Sequence, residues 1–280
     1  MLYRAFFAIR ELSTRSGRPT NAVFGLIRML EQMRRRWQPT HWLVVFDGGL
    51  PADRLDLAAD YKAQRPAMPD ALRSQMEPAE EYLDRAGIAW MRREGQEADD
   101  VIASLAAHGE REAKQVLIAT GDKDLFQVVT ETTRVVPLAG AGTAMGPAEV
   151  AAKTGVRPSE IVAWLALAGD ATDNIRGVPG VGRKTAAALI RKHGSLKALW
   201  EHLEEVPGRR VREALAQHRD IVERNVQVVR LNRALPCEPD WEKMLRRPPD
   251  AAALISLFEE LEFASMARAL RQGELFEDPK

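Results

Sequence analysis

The chain has 280 residues, 45% of them hydrophobic, which is enough for one large domain or two ordinary ones. Its single cysteine, Cys237, excludes an internal disulfide, and no paired cysteine and histidine spacing indicates a zinc site. Forty basic residues balance forty acidic ones, and no apolar run approaches the roughly 18 residues that span a bilayer. We therefore expect a soluble, cytoplasmic protein without membrane contact.

The first half of the chain alternates between short apolar runs and helical patterns. We predict buried strands at Trp42–Phe46 and Gln115–Ala119, because both are short, rich in β-formers and followed by Asp or Gly. Weaker strand patterns cover Ile88–Met91 and Arg134–Pro137. Helical spacing covers Asn21–Arg36, Ala98–His108 and Leu125–Thr130. This alternation predicts an α/β core with a mainly parallel sheet and helices on both faces.

A long charged segment, residues 51–93, lies between two of these strands and does not fit a compact βαβ unit. Its basic residues are Arg54, Lys62, Arg65, Arg73, Arg85, Arg92 and Arg93. A long insertion at the mouth of a sheet is more often functional than decorative. Within it, Tyr61 stands beside Lys62 and close to Arg65, a pattern suited to base stacking and phosphate pairing with single-stranded nucleic acid. Surface Lys and Arg are, however, usually just solvated.

From about Pro147 onward the pattern is helical throughout, with proline and glycine clusters between the helices. The helical stretches are Pro158–Ala168, Lys184–Lys192, Ser195–Leu203, Val211–Arg230 and Asp250–Phe258. We predict a first domain over residues 1–168, including the insertion at about 51–93, and a smaller all-α domain over residues 169–280.

Acidic residues gather where the predicted strands end. Eight carboxylates fall into four groups: Asp47; Glu97, Asp99 and Asp100; Asp122 and Asp124; Asp170 and Asp173. In an open parallel sheet, ligands bind outside the carboxyl ends of the strands, so the groups that follow different strands should converge. Individually, Asp99 could be a helix N-cap, Asp47 could start a turn, and Asp170 with Asp173 could be a solvated surface pair.

Such convergence has a chemical consequence. Neighbouring carboxylates repel, and divalent cations remove the conflict. Oxygen ligands without histidine or cysteine favour Mg²⁺ or Mn²⁺ over zinc. A pair of ions roughly 3.5–4 Å apart suits the hydrolysis of a phosphodiester bond. The carboxylate pattern therefore predicts a two-cation site.

A glycine-rich turn opens the second half. Gly177-Val-Pro-Gly-Val-Gly182 precedes Arg183-Lys184-Thr185 and an apolar helix, and five Lys or Arg residues but no acid lie between Ile175 and Gly194. Glycines let a phosphate approach backbone N–H groups, and a helix N-terminus adds unpaired donors. This predicts a hairpin that binds the DNA backbone without reading bases. The alternative is a plain helical connection with a solvated basic face.

Together these residues resemble the 5′ nuclease family of 5′→3′ exonucleases and flap endonucleases, which includes the N-terminal domain of bacterial DNA polymerase I. The resembling stretches follow the family's order along almost the whole chain: Tyr3–Ala8, Val45–Asp47, Tyr61–Arg65, Glu97–Asp100, Thr120–Asp124, Gly169–Asn174 and Gly177–Thr185. The resemblance implies a PIN-like core, a helical arch over the active site, and a helix–hairpin–helix domain that binds duplex DNA.

The resemblance also implies roles for single residues. The eight carboxylates match the family's metal ligands, Lys62 and Arg65 match arch residues that orient the scissile phosphate, and Arg4 matches a basic residue near the active site. DNA contacts are implied at Tyr61, Gly180, Val181, Gly182, Arg183, Lys184 and Thr185. In some members the hairpin binds a monovalent cation such as K⁺ through backbone carbonyls, which here would be those of Leu167, Ala168, Arg176, Val178 and Val181.

One departure concerns the start of the chain. The family normally begins with an apolar strand ending in Asp-Gly shortly before the Tyr-Arg-Ala-Phe-Phe stretch, whereas here Met1 stands two residues before Tyr3. We expect a misassigned start codon; the alternative is a true product that lacks one ligand and a central strand.

The leading hypothesis is a monomeric, Mg²⁺- or Mn²⁺-dependent 5′ nuclease that acts near the nucleoid. Its substrates would be DNA with 5′ flaps, nicks or gaps, and its partner a separate DNA polymerase. The alternatives are a structure-specific DNA-binding module with weak or no catalysis, and a PIN-type ribonuclease.

Overall fold

A computed structural model describes residues 1–138, 140 and 142–276, and its first half contains four short parallel strands. The strands are β1 (Leu43–Phe46), β2 (Ala89–Arg92), β3 (Val116–Ala119) and β4 (Thr133–Val136). β1 pairs with β2, and β3 pairs with β4, both in parallel. All four predicted strands are therefore confirmed to within one residue at either end.

The strands form two small sheets instead of the single sheet that the alternation predicts. Helix α6 (Ala98–Arg111) contacts both β1 and β3 and so holds the two pairs near each other. Among the described residues no strand pairs with both β1 and β3, and Leu117 of β3 keeps 41% of its surface exposed. The parallel arrangement is confirmed, while each pair keeps unpaired edges.

The helices of the first half surround these strands. They are α1 (Leu2–Ala8), α2 (Asn21–Trp37), α3 (Ala52–Leu57), α4 (Asp70–Arg73), α5 (Met76–Arg85) and α6. The predicted helix at Leu125–Thr130 is a 3₁₀ turn, Asp124–Val128, because the backbone is extended again at Val129. The β-branched residues at its end favour extended backbone over a continued helix.

The insertion at residues 51–93 has an exposed part and a buried part. Its later helices, α4 and α5, pack into the interior and bury Leu72, Tyr82 and Leu83 completely. The earlier part, α3 and the turns through about residue 69, remains largely exposed apart from Arg54 and Tyr61. The exposed part of the insertion is therefore the stretch before α4.

The second half is helical with one short hairpin. Its helices are α7 (Pro147–Thr154), α8 (Ile161–Ala168), α9 (Arg183–His193), α10 (Leu196–Glu201), α11 (Arg209–Gln217), α12 (Arg219–Val229), α13 (Trp241–Met244), α14 (Ala251–Glu260) and α15 (Ala264–Arg271). Strands β5 (Gly169–Asp170) and β6 (Ile175–Arg176) pair antiparallel. The predicted helix Val211–Arg230 breaks at His218, where φ is −117°. Apolar spacing continues across that residue, so periodicity could not reveal the break.

Two hydrophobic clusters join the halves of the chain. One combines Ile118 of β3 with Leu165 of α8 and Ile190 of α9. The other combines Tyr82 of α5 with Phe258 of α14, whose rings stack at 6.3 Å. Helices α14 and α15, which lie within the predicted second domain of residues 169–280, pack on the first half of the chain; residues 277–280 lie outside the described part.

Within the described residues, no helix is both long enough and apolar enough to cross a bilayer.

Candidate active site: an acidic cluster and the cations around it

The carboxylates that follow the strands meet at the start of α6. Asp47 follows β1, and its Oδ1 accepts a hydrogen bond of 3.0 Å from the backbone N–H of Ala98. Asp47 therefore supplies an acceptor for an unpaired donor at the helix start, and Asp99 is not the N-cap, which is Glu97. After β3, Asp122 accepts a 3.0 Å bond from the Asp124 N–H, which holds these two side chains in one tight turn.

Like charge dominates this part of the site. Burial, followed by the charges of Asp122 and Asp47, raises the pKa of Asp99 to about 8. Burial, followed by the charge of Asp122, raises the pKa of Asp124 to about 7. Asp124 Oδ1 is also buried without a hydrogen-bond partner. These carboxylates thus lie close enough to oppose one another's ionisation, and one oxygen lacks a donor.

Asp170 and Asp173 complete the acidic cluster from the second half of the chain. They are 5% and 6% exposed, so they are not a solvated surface pair. Burial works against the charge of Asp170, but hydrogen bonding and attraction from Lys123 hold its pKa below the ordinary value. Asp173 lies 2.5 Å from the Arg65 guanidinium and 3.6 Å from Lys62 Nζ.

The insertion contributes cations to the same place. Lys62 pairs with Glu97 as well as with Asp173, and its backbone N–H donates to the Asp173 carbonyl at 3.1 Å. Arg65 keeps 48% of its side chain exposed. Both side chains therefore lie at the carboxylates, as the resemblance implies, and Arg65 remains accessible from solvent.

Tyr61 requires a correction. The sequence pattern suited stacking on a base, but the residue is 5% exposed and its hydroxyl lies 3.3 Å from Glu97 and 3.5 Å from Asp173. Burial, rather than any neighbour, is the largest cause that raises the pKa of this phenol. The ring is buried because it packs with the apolar cluster of β3 and α8, so in this structure it offers no face to a base.

Sequence reasoning assigned no role to Arg54, although it is buried at the centre of the site. Its guanidinium pairs with Glu97 and Asp100, and it donates to the carbonyls of Val228 and Arg230. Burial opposes the charge, but Asp100 and Glu97 outweigh it and hold the pKa of Arg54 above its usual range. Its spacing, seven residues after Asp47, was the only signal, and surface arginines are common in such insertions.

Two further basic residues border the cluster. Lys123, also missed, stands between Asp122 and Asp124 in sequence and pairs with Asp170. Arg4 is exposed on α1, and a side chain added at Gly121 would meet its guanidinium at 3.5 Å. Arg4 therefore lies next to the Asp122 turn, where the resemblance places it.

Basic side chains lie among the carboxylates that were predicted to bind metal ions. Within the described part of the chain, one group of at least three possible ligand side chains has its ligand atoms within 4.8 Å of one another, namely His202, Glu204 and Glu205. That group is fully exposed, as many acidic groups are. The eight predicted carboxylates do not close to this extent, because Arg54, Lys62 and Lys123 lie among them.

The glycine hairpin is a separate, open surface. Gly180 has φ of +80°, which favours glycine, and no atom lies within 4 Å of a side chain added at Gly180 or Gly182. Gly182 is the N-cap of α9 and provides no side-chain acceptor, so no N-cap side chain pairs with the first N–H groups of the helix. Arg183 and Lys184 are exposed beside them. Val181 was also predicted to contact DNA, but its side chain is buried and packs in the interior.

The five carbonyls named for a monovalent cation lie around the junction of α8 and this hairpin. Leu167 and Val178 each accept a backbone hydrogen bond of 2.9 Å, and Arg176 accepts one of 2.8 Å from Asn225 Nδ2. Gly169 and Gly177 pack backbone to backbone here, since a side chain on Gly177 would lie 2.4 Å from the Ala168 carbonyl oxygen. Each carbonyl oxygen retains a second lone pair.

Known proteins resemble this chain over its whole length. Residues 1–155 match the family described as 5′-3′ exonuclease, N-terminal resolvase-like domain, and residues 156–252 match the 5′-3′ exonuclease C-terminal SAM fold. A 5′-3′ exonuclease of Aquifex aeolicus is 37% identical over 268 residues, which are 95% of this chain and 91% of that protein. DNA polymerase I of Pseudomonas aeruginosa is 39% identical over 94% of this chain, which spans only 29% of that relative.

Solved structures share the fold at low sequence identity. The flap endonuclease of bacteriophage T5, crystallised with DNA and metal ions, superimposes with a TM-score of 0.64 at 19% identity. The alignment covers 89% of this chain and 90% of the phage protein.

Proposed function

This chain belongs to the 5′-3′ exonuclease family, and on that premise we propose that it is a structure-specific 5′ nuclease. Its substrates are DNA molecules with 5′ flaps, nicks or gaps, and it hydrolyses their phosphodiester bonds with the help of two divalent cations. The observation that carries the proposal is the meeting of acidic side chains from four separate segments around a buried Asp124 oxygen that accepts no hydrogen bond.

The donor set fits hard divalent cations. The negatively charged neighbours of Asp99 and Asp124 are all carboxylates. Such a set of oxygen donors suits Mg²⁺ or Mn²⁺. We assign Asp47, Asp99, Asp122 and Asp124 to one part of the site, and Glu97, Asp170 and Asp173 to the other. Two such ions, when bound, lower the pKa of the attacking water and stabilise charge on the attacking and leaving oxygens.

The basic side chains complete the chemistry. Lys62, Lys123 and Arg65 neutralise Glu97, Asp170 and Asp173 in the free protein. With cations bound at the carboxylates, these three basic groups would be free to bind phosphates of the substrate, and Arg4 would bind another from the Asp122 side. Arg65 is half-exposed, whereas Lys62 and Lys123 are more buried, so a phosphate that enters the site would contact Arg65 before these two lysines.

In this proposal the glycine hairpin binds duplex DNA. The N–H groups at the start of α9, which no N-cap side chain occupies, suit phosphates together with Arg183, Lys184 and Thr185 and leave the bases unread. We also propose that the carbonyls of Leu167, Ala168, Arg176, Val178 and Val181 hold a monovalent cation such as K⁺ there. The relatives named DNA polymerase I motivate a further proposal, that this nuclease works as a monomer on ends left by a separate polymerase.

A cleavage assay tests the proposal. End-labelled DNA with a 5′ flap is incubated with the protein and Mg²⁺ or Mn²⁺, and a blunt duplex, an RNA flap and an EDTA reaction serve as controls. We expect short products from the DNA flap that depend on the metal. Asp99→Asn should abolish them, whereas Asp70→Asn, a fully exposed aspartate of the insertion, should not. Flap binding without cleavage would contradict the proposal, and faster cleavage of the RNA flap would indicate a ribonuclease.

A further inference from the structure

Arg54 is the most enclosed cation of the site. It lies on α3 at the base of the insertion and is 6% exposed. Fully burying an arginine is unfavourable unless all its donors are paired. Here the donors reach four partners, which lie on two distant parts of the chain.

Two of those partners are carboxylates at the start of α6. Nη1 lies 2.6 Å from one Asp100 oxygen, Nη2 lies 2.8 Å from the other, and Nη1 also pairs with Glu97. The planar fork of arginine suits this two-point contact, which a lysine ammonium cannot reproduce. Arg54 therefore fixes both the position and the orientation of these acids.

The other two partners are carbonyls at the end of α12. Nε donates to Val228 at 2.9 Å, and Nη2 donates to Arg230 at 3.0 Å. The last carbonyls of a helix lack partners within the helix, and a positive charge there is favourable. Arg54 thus caps α12 and links the insertion, α6 and the helical half through one side chain.

Asp100 is fully engaged by this arrangement. It is 1% exposed, and the oxygen that accepts from Nη2 also accepts a 2.7 Å hydrogen bond from the Asn232 N–H. Lys62 and Lys123, by contrast, bind their carboxylates only through single ammonium groups, with 10% and 21% of their side chains exposed. Arg54, by comparison, is held by backbone carbonyls on one side and by a doubly bonded carboxylate on the other.

We propose that Arg54 is a positioning residue of the nuclease site and that Asp100 is its counter-ion instead of a cation ligand. The pair acts through Glu97, which it holds towards the cluster, and through the α12 end, which it ties to the insertion. The inference rests on the proposed function for its catalytic consequence, but the clamp itself is a matter of structure. It removes Asp100 from the eight candidate ligands.

Thermal unfolding tests the clamp without any activity. Arg54→Met leaves the buried Asp100 without its counter-ion, and we expect the Tm to fall by roughly 6–10 °C. The double variant Arg54→Met/Asp100→Asn should recover at least half of that loss, because the stranded charge is gone. Arg73→Met removes an exposed arginine of the same insertion and should change the Tm by about 1 °C at most. Additive losses in the double variant would overturn the clamp.

Mn²⁺ binding in the absence of DNA tests the role of Asp100. The isosteric Asp100→Asn variant should keep the wild-type number of Mn²⁺ ions, with an affinity loss of about 10–100-fold, as for groups that orient ligands. Loss of one ion from the stoichiometry would overturn the assignment. This readout stands even if Arg54→Met fails to fold.

Kinetics separate positioning from substrate contact. Arg54→Lys should lower kcat on a 5′-flap substrate without restoring wild-type Tm, while the Kd for the same DNA in EDTA stays within about twofold, since the buried group cannot reach DNA. A tenfold weaker Kd with unchanged Tm and Mn²⁺ affinity would make Arg54 a substrate contact and overturn the proposal. If the wild-type protein cleaves no DNA, the proposed function fails, while the unfolding cycle still decides on the clamp.

Discussion

The acidic cluster and the glycine hairpin present opposite solutions to binding a phosphate polymer. In the cluster, most side chains are buried and paired, and burial, followed by the charges of neighbouring carboxylates, raises the pKa values of Asp99 and Asp124. In the hairpin, Gly180 and Gly182 face open space, and the first donors of α9 have no side-chain acceptor. The acidic cluster therefore brings repelling carboxylates together, whereas the hairpin has N–H donors without side-chain acceptors.

On the proposed function, the acidic cluster carries out catalysis and the hairpin binds the DNA backbone. A conflict between buried carboxylates is relieved by protonation or by a small, highly charged ligand, and on the proposed function that ligand is a divalent cation. Exposed N–H groups and surface cations bind any phosphate backbone weakly and without sequence preference. Variants in the two regions should therefore fail in different assays.

The largest effect should come from the cluster. Replacing Asp124 with Asn removes a negative charge from the cluster, and we expect kcat/KM on a 5′-flap substrate to fall by about 10³-fold or more, since the site would hold its cations less well. DNA affinity in EDTA should stay the same or improve, because one negative charge is gone. A loss of DNA affinity with cleavage retained at saturating DNA would reverse the division between the regions.

The hairpin should show the converse behaviour. Arg183→Ala combined with Lys184→Ala should weaken DNA binding roughly tenfold and reduce the slope of log K against log salt by about 2. Cleavage at saturating DNA should remain near the wild-type rate. The exposed pair Arg209→Ala/Arg210→Ala on α11 is a matched control for charge, and an equal effect there would mean that the hairpin has no special role.

The pH dependence of stability sharpens the contrast further. Between about pH 4 and the raised pKa values near 7 and 8, the folded metal-free protein keeps protons that the unfolded chain has lost, so these two groups lower stability as the pH rises. We expect Asp99→Asn to be more stable than the wild type by roughly 3–5 °C in Tm at pH 8 in EDTA, and by less at pH 5. Scanning both proteins across this range measures the difference; a difference that shrinks towards pH 8 would contradict the account.

The smallest effect concerns two glycines of the hairpin. Gly180 has a positive φ, so Gly180→Ala should lower the free energy of unfolding by about 1 kcal/mol. Gly182 has φ of −81° and equally open surroundings, so Gly182→Ala should change it by about 0.5 kcal/mol at most. Urea titrations of the two variants provide the comparison, and equal destabilisation would remove the backbone argument.

Much of the fold follows from local patterns. Strands such as Leu43–Phe46 are short apolar runs ended by Asp or Gly, and the glycines around Val178 announce a hairpin before a helix. The division of the parallel strands into two sheets, the break at His218 and the packing of Phe258 on Tyr82 depend on tertiary contacts. Periodicity carries no information about such contacts.

The positions of site residues could be predicted where an acidic residue directly follows a predicted strand. Asp47, Asp122 and Asp124 could be placed at strand ends because parallel strands direct their carboxyl ends to one edge. Arg54 could not, because its importance comes from Val228 and Arg230, which lie far away in sequence. Tyr61 was misread for a related reason, since an aromatic beside cations looks the same whether its ring is exposed or buried.

Anomalous diffraction from crystals soaked in Mn²⁺ tests the central claim most directly, because it locates bound cations without any assay of cleavage. The account predicts two peaks at the acidic cluster, one of them contacting Asp124 and neither contacting Asp100. Peaks confined to the exposed group of His202, Glu204 and Glu205, or no peak at the cluster at saturating Mn²⁺, would contradict it.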